Sequence, residues 1–545
     1  MAMQWHLRAQ NRAYRPVKFS IGRCITLSTF IIFVFLLHLR IGADRRTIES
    51  PNVVPAIIQA SERIESARNP TSSAGTKTPI SELSTVAQEI NVTSAISEVT
   101  DLGVTSETSE VLDTGVTSAT SVDPDSGVTS ANFQRPENCD GRRIFIYQMP
   151  VEFNEQLARN CHNWSGWRSM CEDISNLGFG VNIPLRKSDP MTSLLQPPSA
   201  WYRTEQFTLE VAIHERLKTH SCLTTNPDEA SLFYIPFYHS LDLIRTLYLN
   251  DNLSARDLLG QRFVKWISTQ APWQRHQGHR HVLVLGRIYW DYIRGIGTDS
   301  TWGSNLLTLP ELGNVTKLFI ERSPWKSDTV GIPYPTSFHP GSETDLRAWQ
   351  HTVRTSKRHQ FASVAGGTRT KKLTGSIRDE VFKQCANSTK CKQVRCTHEL
   401  CVTKPQTIIQ MGLESVFCLQ PPGDSPTRKG IFDSLQAGCI PVLFHEHQAV
   451  QQYLFHLPGN GLSYSVMIPQ DDVAVNHYDV MDHLSRIPRS RIKKLQANII
   501  KLLPQLLYRN PVLTGEYTSK DAVDVAIDGL LERFQVQSVG GHPSS

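Results

Sequence analysis

Residues 417–444 read FCLQPPGDSPTRKGIFDSLQAGCIPVLF, and the fold is decided by how this stretch is parsed. Residues 416–420 form a short, continuous apolar run, the form a buried parallel strand takes. Pro421-Pro422-Gly423-Asp424-Ser425 turns the chain. Ser425 is then placed to cap a helix, with Pro426 at its first position and Arg428 at its third. Ile431, Phe432 and Leu435 give that helix one apolar face, Gly438 falls just past its end, and Pro441 prevents its continuation. Residues 440–444 supply the next strand. The unit is strand–helix–strand, and its helix opens at the carboxyl end of a strand, where sheets of this kind bind ligands.

Two cations, Arg428 and Lys429, stand at the start of that helix. The helix dipole disfavours a cation there by roughly 0.3–1 kcal/mol. An anion held jointly by free N–H groups and a guanidinium reverses the sign. A diphosphate fits, and Asp433 further along can accept ribose hydroxyls. The competing reading is structural: Lys429 and Asp433 form an ordinary i,i+4 ion pair, and Arg428 bonds a carboxylate of a neighbouring domain.

Working outward, apolar runs at 143–147, 232–237 and 281–286 precede a second series at 361–366, 416–420, 440–444 and 464–469, with helical stretches between several of them. Thr204 can cap a helix that buries Phe207, Val211, His214 and Leu217. Ile492, Leu495, Ile499, Leu502 and Leu506 mark an amphipathic helix that Pro504 bends or ends, and Val523, Ala526, Leu530 and Phe534 mark another. Two such series within 545 residues predict two Rossmann-like α/β domains facing a cleft, 139–350 and 351–520. They join near 345–358, and a C-terminal helix and tail occupy 521–545.

The N-terminus predicts location. Residues 24–39 are almost wholly apolar, and 21–42, with Arg23 and Arg40 reaching outward, approach the ~30 Å hydrocarbon thickness. Five bases and no acid precede Cys24, which leaves residues 1–20 as a cytosolic tail and 21–42 as a signal anchor. A cleaved signal peptide competes, but IGADRRTIES offers a poor cleavage site. Residues 43–138 are rich in Ser, Thr and acid, hold one aromatic (Phe133), and repeat every 12 residues over 98–133. They read as a disordered lumenal stem. The remainder is mildly basic, which suits a small anionic ligand and excludes nucleic acid as a partner. Sequons at Asn91, Asn163, Asn252, Asn314 and Asn387 agree with a lumenal chain. Of 11 cysteines, Cys24 lies in the span. Cys385, Cys391, Cys396 and Cys401 lack the tight knuckle of a zinc site, so disulfides are expected. Cys418 and Cys439 read as buried thiols.

The opening stretch resembles the exostosin-like glycosyltransferases, glycosyltransferase family 47, and within them the plant xyloglucan galactosyltransferases. So do GRRIFIYQMPVEFN, NLGFG, WYRTEQFTLEVAIHERLKTHSCLT, ASLFYIPFYHSLD, HVLVLGRIYWDYIR, WGSNLL, IPYPTSFHP and QYLFHLP. The resemblance implies a fold of the GT-B kind, anomeric inversion, and a UDP-sugar donor held by the C-terminal domain. It also implies a xyloglucan-like polysaccharide acceptor and a single-pass type II Golgi membrane protein, with complexes with other glycosyltransferases and no metal or other cofactor. Galactose is the donor sugar favoured; galacturonate or arabinose users, or a catalytically silent Golgi partner of an active transferase, are the alternatives. By the same resemblance Gly366, Gly367 and Arg369, together with Gly423, Asp424, Ser425, Arg428, Lys429 and Asp433, form the donor site.

Inversion needs a base for the acceptor hydroxyl. His239, Asp242, His281, Asp291 and Glu321 are the candidates near strand ends, with Asp291 and His281 ranked first. Relatives carry Gly-x-Asp-His-Phe where this chain has Gly278-His279-Arg280-His281-Val282, which puts a base at this position in doubt. The sole Asp-x-Asp, Asp123-Pro-Asp125, falls in the stem. His445-Glu446-His447 alternate faces and make a poor metal site.

Overall fold

The computed structural model describes residues 139, 141–163, 169–249, 252–295, 301–367, 376–423, 425–513 and 515–539. The apolar segment 21–42, the stem, Asn91, Asp123, Asp125, Arg369, Asp424 and the Asn163 side chain lie outside them. Among the described residues no helix is long and apolar enough to cross a membrane.

Two five-stranded parallel sheets carry the fold. The first runs in spatial order β1 (Ile144–Ile146), β2 (Leu232–Ile235), β3 (His281–Ile288), β4 (Thr316–Glu321), β5 (Thr329–Gly331). The second contains β6 (Gln360–Gly366), β7 (Cys391–Arg395), β8 (Ser415–Gln420), β9 (Ile440–Leu443) and β10 (Val466–Met467), in the order β10-β9-β8-β6-β7. Parallel sheets need cover on both faces. Helices α1 (Leu209–Leu217), α2 (His239–Leu249) and α3 (Leu253–Ile267) belong to the first half. The second holds α4 (Glu343–Thr355), α5 (Ile377–Ala386), α6 (Gln406–Glu414), α7 (Lys429–Gln436) and α8 (Arg489–Leu506). From β6 the chain goes outward to β7 on one side and returns to β8 on the other. The carboxyl ends of β6 and β8 therefore frame the switch point at which such sheets open a crevice.

The strands expected at 143–147, 232–237, 281–286, 361–366, 416–420 and 440–444 all form, and 464–469 shortens to β10. Two differences have physical causes. Thr204 caps no helix: its hydroxyl donates to the Phe179 carbonyl at 2.9 Å and meets His339 Nε2 at 2.8 Å, so α1 starts later, at Leu209. The expected join at 345–358 is α4, started by a reciprocal cap between Ser342 and Asp345. The closing helix α9 (Ala522–Val539) packs on the first sheet and against α8. Asp521 and Asp524 take the buried Arg216 guanidinium at 2.9 and 2.7 Å, and Val523, Ala526 and Ile527 meet Leu232, Val282 and Leu318. One apolar core accordingly runs through both halves, from Val282 and Leu318 to Val364 and Phe417.

Disulfides join Cys139–Cys222, Cys161–Cys171, Cys385–Cys391, Cys396–Cys401 and Cys418–Cys439. The last corrects the reading of Cys418 and Cys439 as free thiols. β8 and β9 are parallel neighbours with Cys418 opposite Pro441, and this sets the two Cα atoms 5.8 Å apart, within bridging range.

Candidate active site

The stretch quoted first folds as β8, a turn, α7 and β9, with Gly438 at φ +66° closing the helix. The helix begins at Lys429, later than Ser425 would start it. Arg428 is its N-cap in extended conformation, and no side chain caps it. Ser425 stands three residues before that position and donates its hydroxyl to Glu321 of the first half. The opening N–H groups of α7, like those of α1, α6 and α8, have no side-chain cap, whereas Asn252, Ser342 and Ser376 cap α3, α4 and α5.

The extended backbone at 428 lays the guanidinium across the switch point. Nη1 donates to the Pro421 carbonyl at 3.1 Å, beyond β8, and Nη2 donates to the Ala365 carbonyl at 3.0 Å, on β6. A Cβ on Gly366 would lie 3.4 Å from Nη2, and one on Gly430 would lie 2.5 Å from Gln420 Oε1. Burial lowers the Arg428 pKa to about 10, with help from the neighbouring Arg378 cation. It remains charged at neutral pH. Arg378, in the first turn of α5, donates to the Pro422 carbonyl at 3.3 Å. The sequence reading missed it, although it repeats the signal used for Arg428: a cation in the first turn of a helix that follows a strand and a glycine turn. The ion pair of the bland reading also exists, Lys429 Nζ to Asp433 Oδ1 at 2.5 Å.

Arg428, Lys429, Gly430 and Asp433 line a cavity of about 230 Å3, together with Ala365, Gln420 and the Cys396–Cys401 bridge. Its far wall is Thr204, Glu205, Gln206 and Ser337 of the first half. Gly366, Gly367 and Gly423 sit at the adjoining strand ends.

The base candidates separate by position. His281 is the first residue of β3, at the end remote from the crevice. It is fully buried, with Nε2 2.7 Å from the Tyr147 hydroxyl and Nδ1 2.9 Å from the His279 carbonyl; burial pulls its pKa to about 4. The expectation of a base there finds no geometric support. Arg280 lies at the same remote end against His276, so the departure from the family pattern stands away from the cavity. Asp291 follows β3 at the carboxyl end; its two oxygens are bonded within the first half, one by Arg287 Nε and one by Trp302 Nε1, both at 2.7 Å. His239 bonds Ser304, burial lowering its pKa to about 3, and Asp242 takes Arg245. Both belong to the interior of the first half. Of the five, Glu321 is the one that touches the donor-side loop, through Ser425, while Tyr334 donates to its other oxygen.

The closest His/Cys/carboxylate grouping among the described residues, Cys161, His162 and Cys171, has its two sulfurs joined. The His445 and His447 rings lie tilted 5.2 Å apart, and the His447 N–H donates to His445 Nδ1. Asn252, Asn314 and Asn387 are surface-exposed.

A two-sheet parallel fold with a cation-lined crevice at a switch point is the architecture of an enzyme acting on an anionic ligand. The Exostosin GT47 domain matches residues 138–481, and the chain belongs to that family. It is 38% identical over 400 residues to xyloglucan galactosyltransferase MUR3 of Arabidopsis thaliana, covering 73% of this chain and 63% of that one. It is 38% identical over 403 residues to xyloglucan galactosyltransferase XLT2 of the same plant, covering 74% and 76%. Xyloglucan-specific galacturonosyltransferase 1, also of Arabidopsis thaliana, is 38% identical over 406 residues, covering 74% and 59%.

Proposed function

We propose that this glycosyltransferase has the GT-B arrangement and moves galactose from UDP-galactose onto xylosyl side chains of xyloglucan or a related wall polysaccharide, in the Golgi lumen. The observation that carries the reading is Arg428 bridging the ends of β6 and β8 beside the uncapped start of α7. A pyrophosphate there would meet a fixed guanidinium and free N–H groups, and the same groups would stabilise the departing UDP. Asp433 would take ribose hydroxyls when released from Lys429. Glu321, at the facing strand end, is the base we assign to the acceptor hydroxyl, acting once the Ser425 or Tyr334 hydroxyl bonded to it gives way to substrate. No step here calls on a metal.

A second reading has its own support. An acidic donor sugar calls for an extra donor-side cation, and Arg378 beside Arg428 is one; a galacturonosyltransferase also stands among the relatives. Incubating the full chain with UDP-galactose, UDP-galacturonate or UDP-arabinose and galactose-depleted xyloglucan, and following UDP release, separates the donors. Turnover with UDP-galactose alone supports the first reading. No turnover with any donor would leave a silent partner.

A further inference from the structure

Trp302 and Trp325 are 45% and 54% exposed. Exposed rings scattered singly need no explanation. These two leave the carboxyl ends of consecutive strands, Trp302 after β3 and Trp325 four residues beyond Glu321 on β4. Both are also held rigidly by polar bonds. Arg322 pins the Trp325 loop: its N–H donates to Gln452 Oε1 at 2.9 Å, Nη1 to the Gln451 carbonyl at 2.6 Å, and Nη2 to the Lys326 carbonyl at 3.0 Å. Trp302 is tied through Nε1 to Asp291, itself bonded to Arg287. The next residue, Gly303, adopts φ +80°, and a Cβ there would fall 2.4 Å from the Asp291 carbonyl.

A third ring adjoins Trp325. Trp290, the neighbour of Asp291, lies 6.3 Å from Trp325, and Trp325 meets His447, from the segment after β9, edge-on at 5.2 Å. Rings of both halves therefore converge at the rim of the crevice. Glu321, on the same β4 exit as Trp325, contacts Ser425 of the donor-side loop. Fixing an indole in water contributes little to folding, but it removes the ordering cost of binding something there.

The chemistry selects the occupant. An indole face is electron-rich, and the axial C–H bonds of a β-linked pyranose present a complementary apolar face. The nearby guanidiniums, Arg287 and Arg322, are turned inward to protein partners, while Lys326 is exposed beside Trp325. We propose that Trp290, Trp302 and Trp325 form a stacking platform for the neutral pyranose rings of the polysaccharide acceptor, beside the donor crevice. This rests on reading the chain as a polysaccharide glycosyltransferase.

The test uses the full chain with three separate probes: cellohexaose, a xyloglucan nonasaccharide and UDP. Either oligosaccharide, and not UDP, protects Trp302 and Trp325 from oxidation by N-bromosuccinimide. Trp302→Ala and Trp325→Ala each weaken oligosaccharide binding about tenfold, with Trp325→Phe between them and the wild type, while the Kd for UDP moves less than about twofold. Unchanged oligosaccharide affinity in the double alanine variant overturns the platform. So does a wild-type chain that binds UDP but neither oligosaccharide, a result that leaves the donor reading intact. Failure of the wild type to bind UDP counts against the donor reading alone, and the oligosaccharide titration still decides the platform. If the double variant changes the mass of the chain's assemblies and not its oligosaccharide affinity, the surface serves a protein partner and the proposal falls.

Discussion

Arg428 is the residue on which the site turns. Two carbonyls orient its guanidinium, and neither neutralises it. Replacing it with alanine removes a charge-assisted contact to the donor, each such bond contributing about 1.5–3 kcal/mol. Arg428→Ala should therefore raise the donor KM by roughly 10- to 100-fold, with the melting temperature near that of the wild type. Arg378→Ala should act in the same direction and more weakly, since Arg378 reaches the loop through one bond at 3.3 Å; steady-state kinetics over a range of donor concentrations measures both. Arg428, Lys429 and Asp433 were legible because local spacing places them on one helix. Arg378 was not singled out, because its closeness to Arg428 arises from β6 and β8 being neighbours, a long-range fact that spacing along the chain does not contain. The same limit governs the base candidates: His281 and Asp291 stand near strand termini, but which end faces the crevice is settled by packing, which sets Glu321 against the donor-side loop and His281 at the remote end.

At the scale of the element, the α7–β9 junction carries the design. Gly438 adopts φ +66°, and a side chain there would strike Val353, with its Cβ 2.2 Å from Cγ1. Gly438→Val should cost about 2 kcal/mol or more, read as a lowered denaturant midpoint. The Cys418–Cys439 bridge closes a span of 21 residues around α7. Removing it in Cys418→Ala/Cys439→Ala should cost about 2–4 kcal/mol by denaturant titration; an unchanged midpoint would mean the bridge does not form. The apolar runs named as strands were readable in advance, whereas β4 and β5 of the first sheet went unread. β7 was not readable either, because its CKQVR sequence lies at a sheet edge with little burial and shows neither an apolar run nor clean alternation.

Across the whole molecule, the two halves share a core and a returning helix, so the crevice is held as one framework. That framework buries neutral histidines. Burial pulls His214, His239 and His339 to about 3 and His281 and His456 to about 4. Their unfolded value is near 6.5, so between there and about pH 4 the unfolded chain takes up protons that the native chain refuses. Stability is complete above the unfolded value and falls with pH, by about 1.4 kcal/mol per pH unit for each such group. The melting temperature should drop by about 5 °C or more between pH 7.5 and pH 5.0; a flat profile would show these rings to be accessible. The central claim is that the start of α7, with Arg428, docks a sugar nucleotide's pyrophosphate. The most direct measurement is calorimetric titration of UDP into the wild-type chain and into Arg428→Ala. Saturable binding that weakens at least about tenfold in the variant is the expected result; equal affinity in the two, with both chains folded, would contradict it.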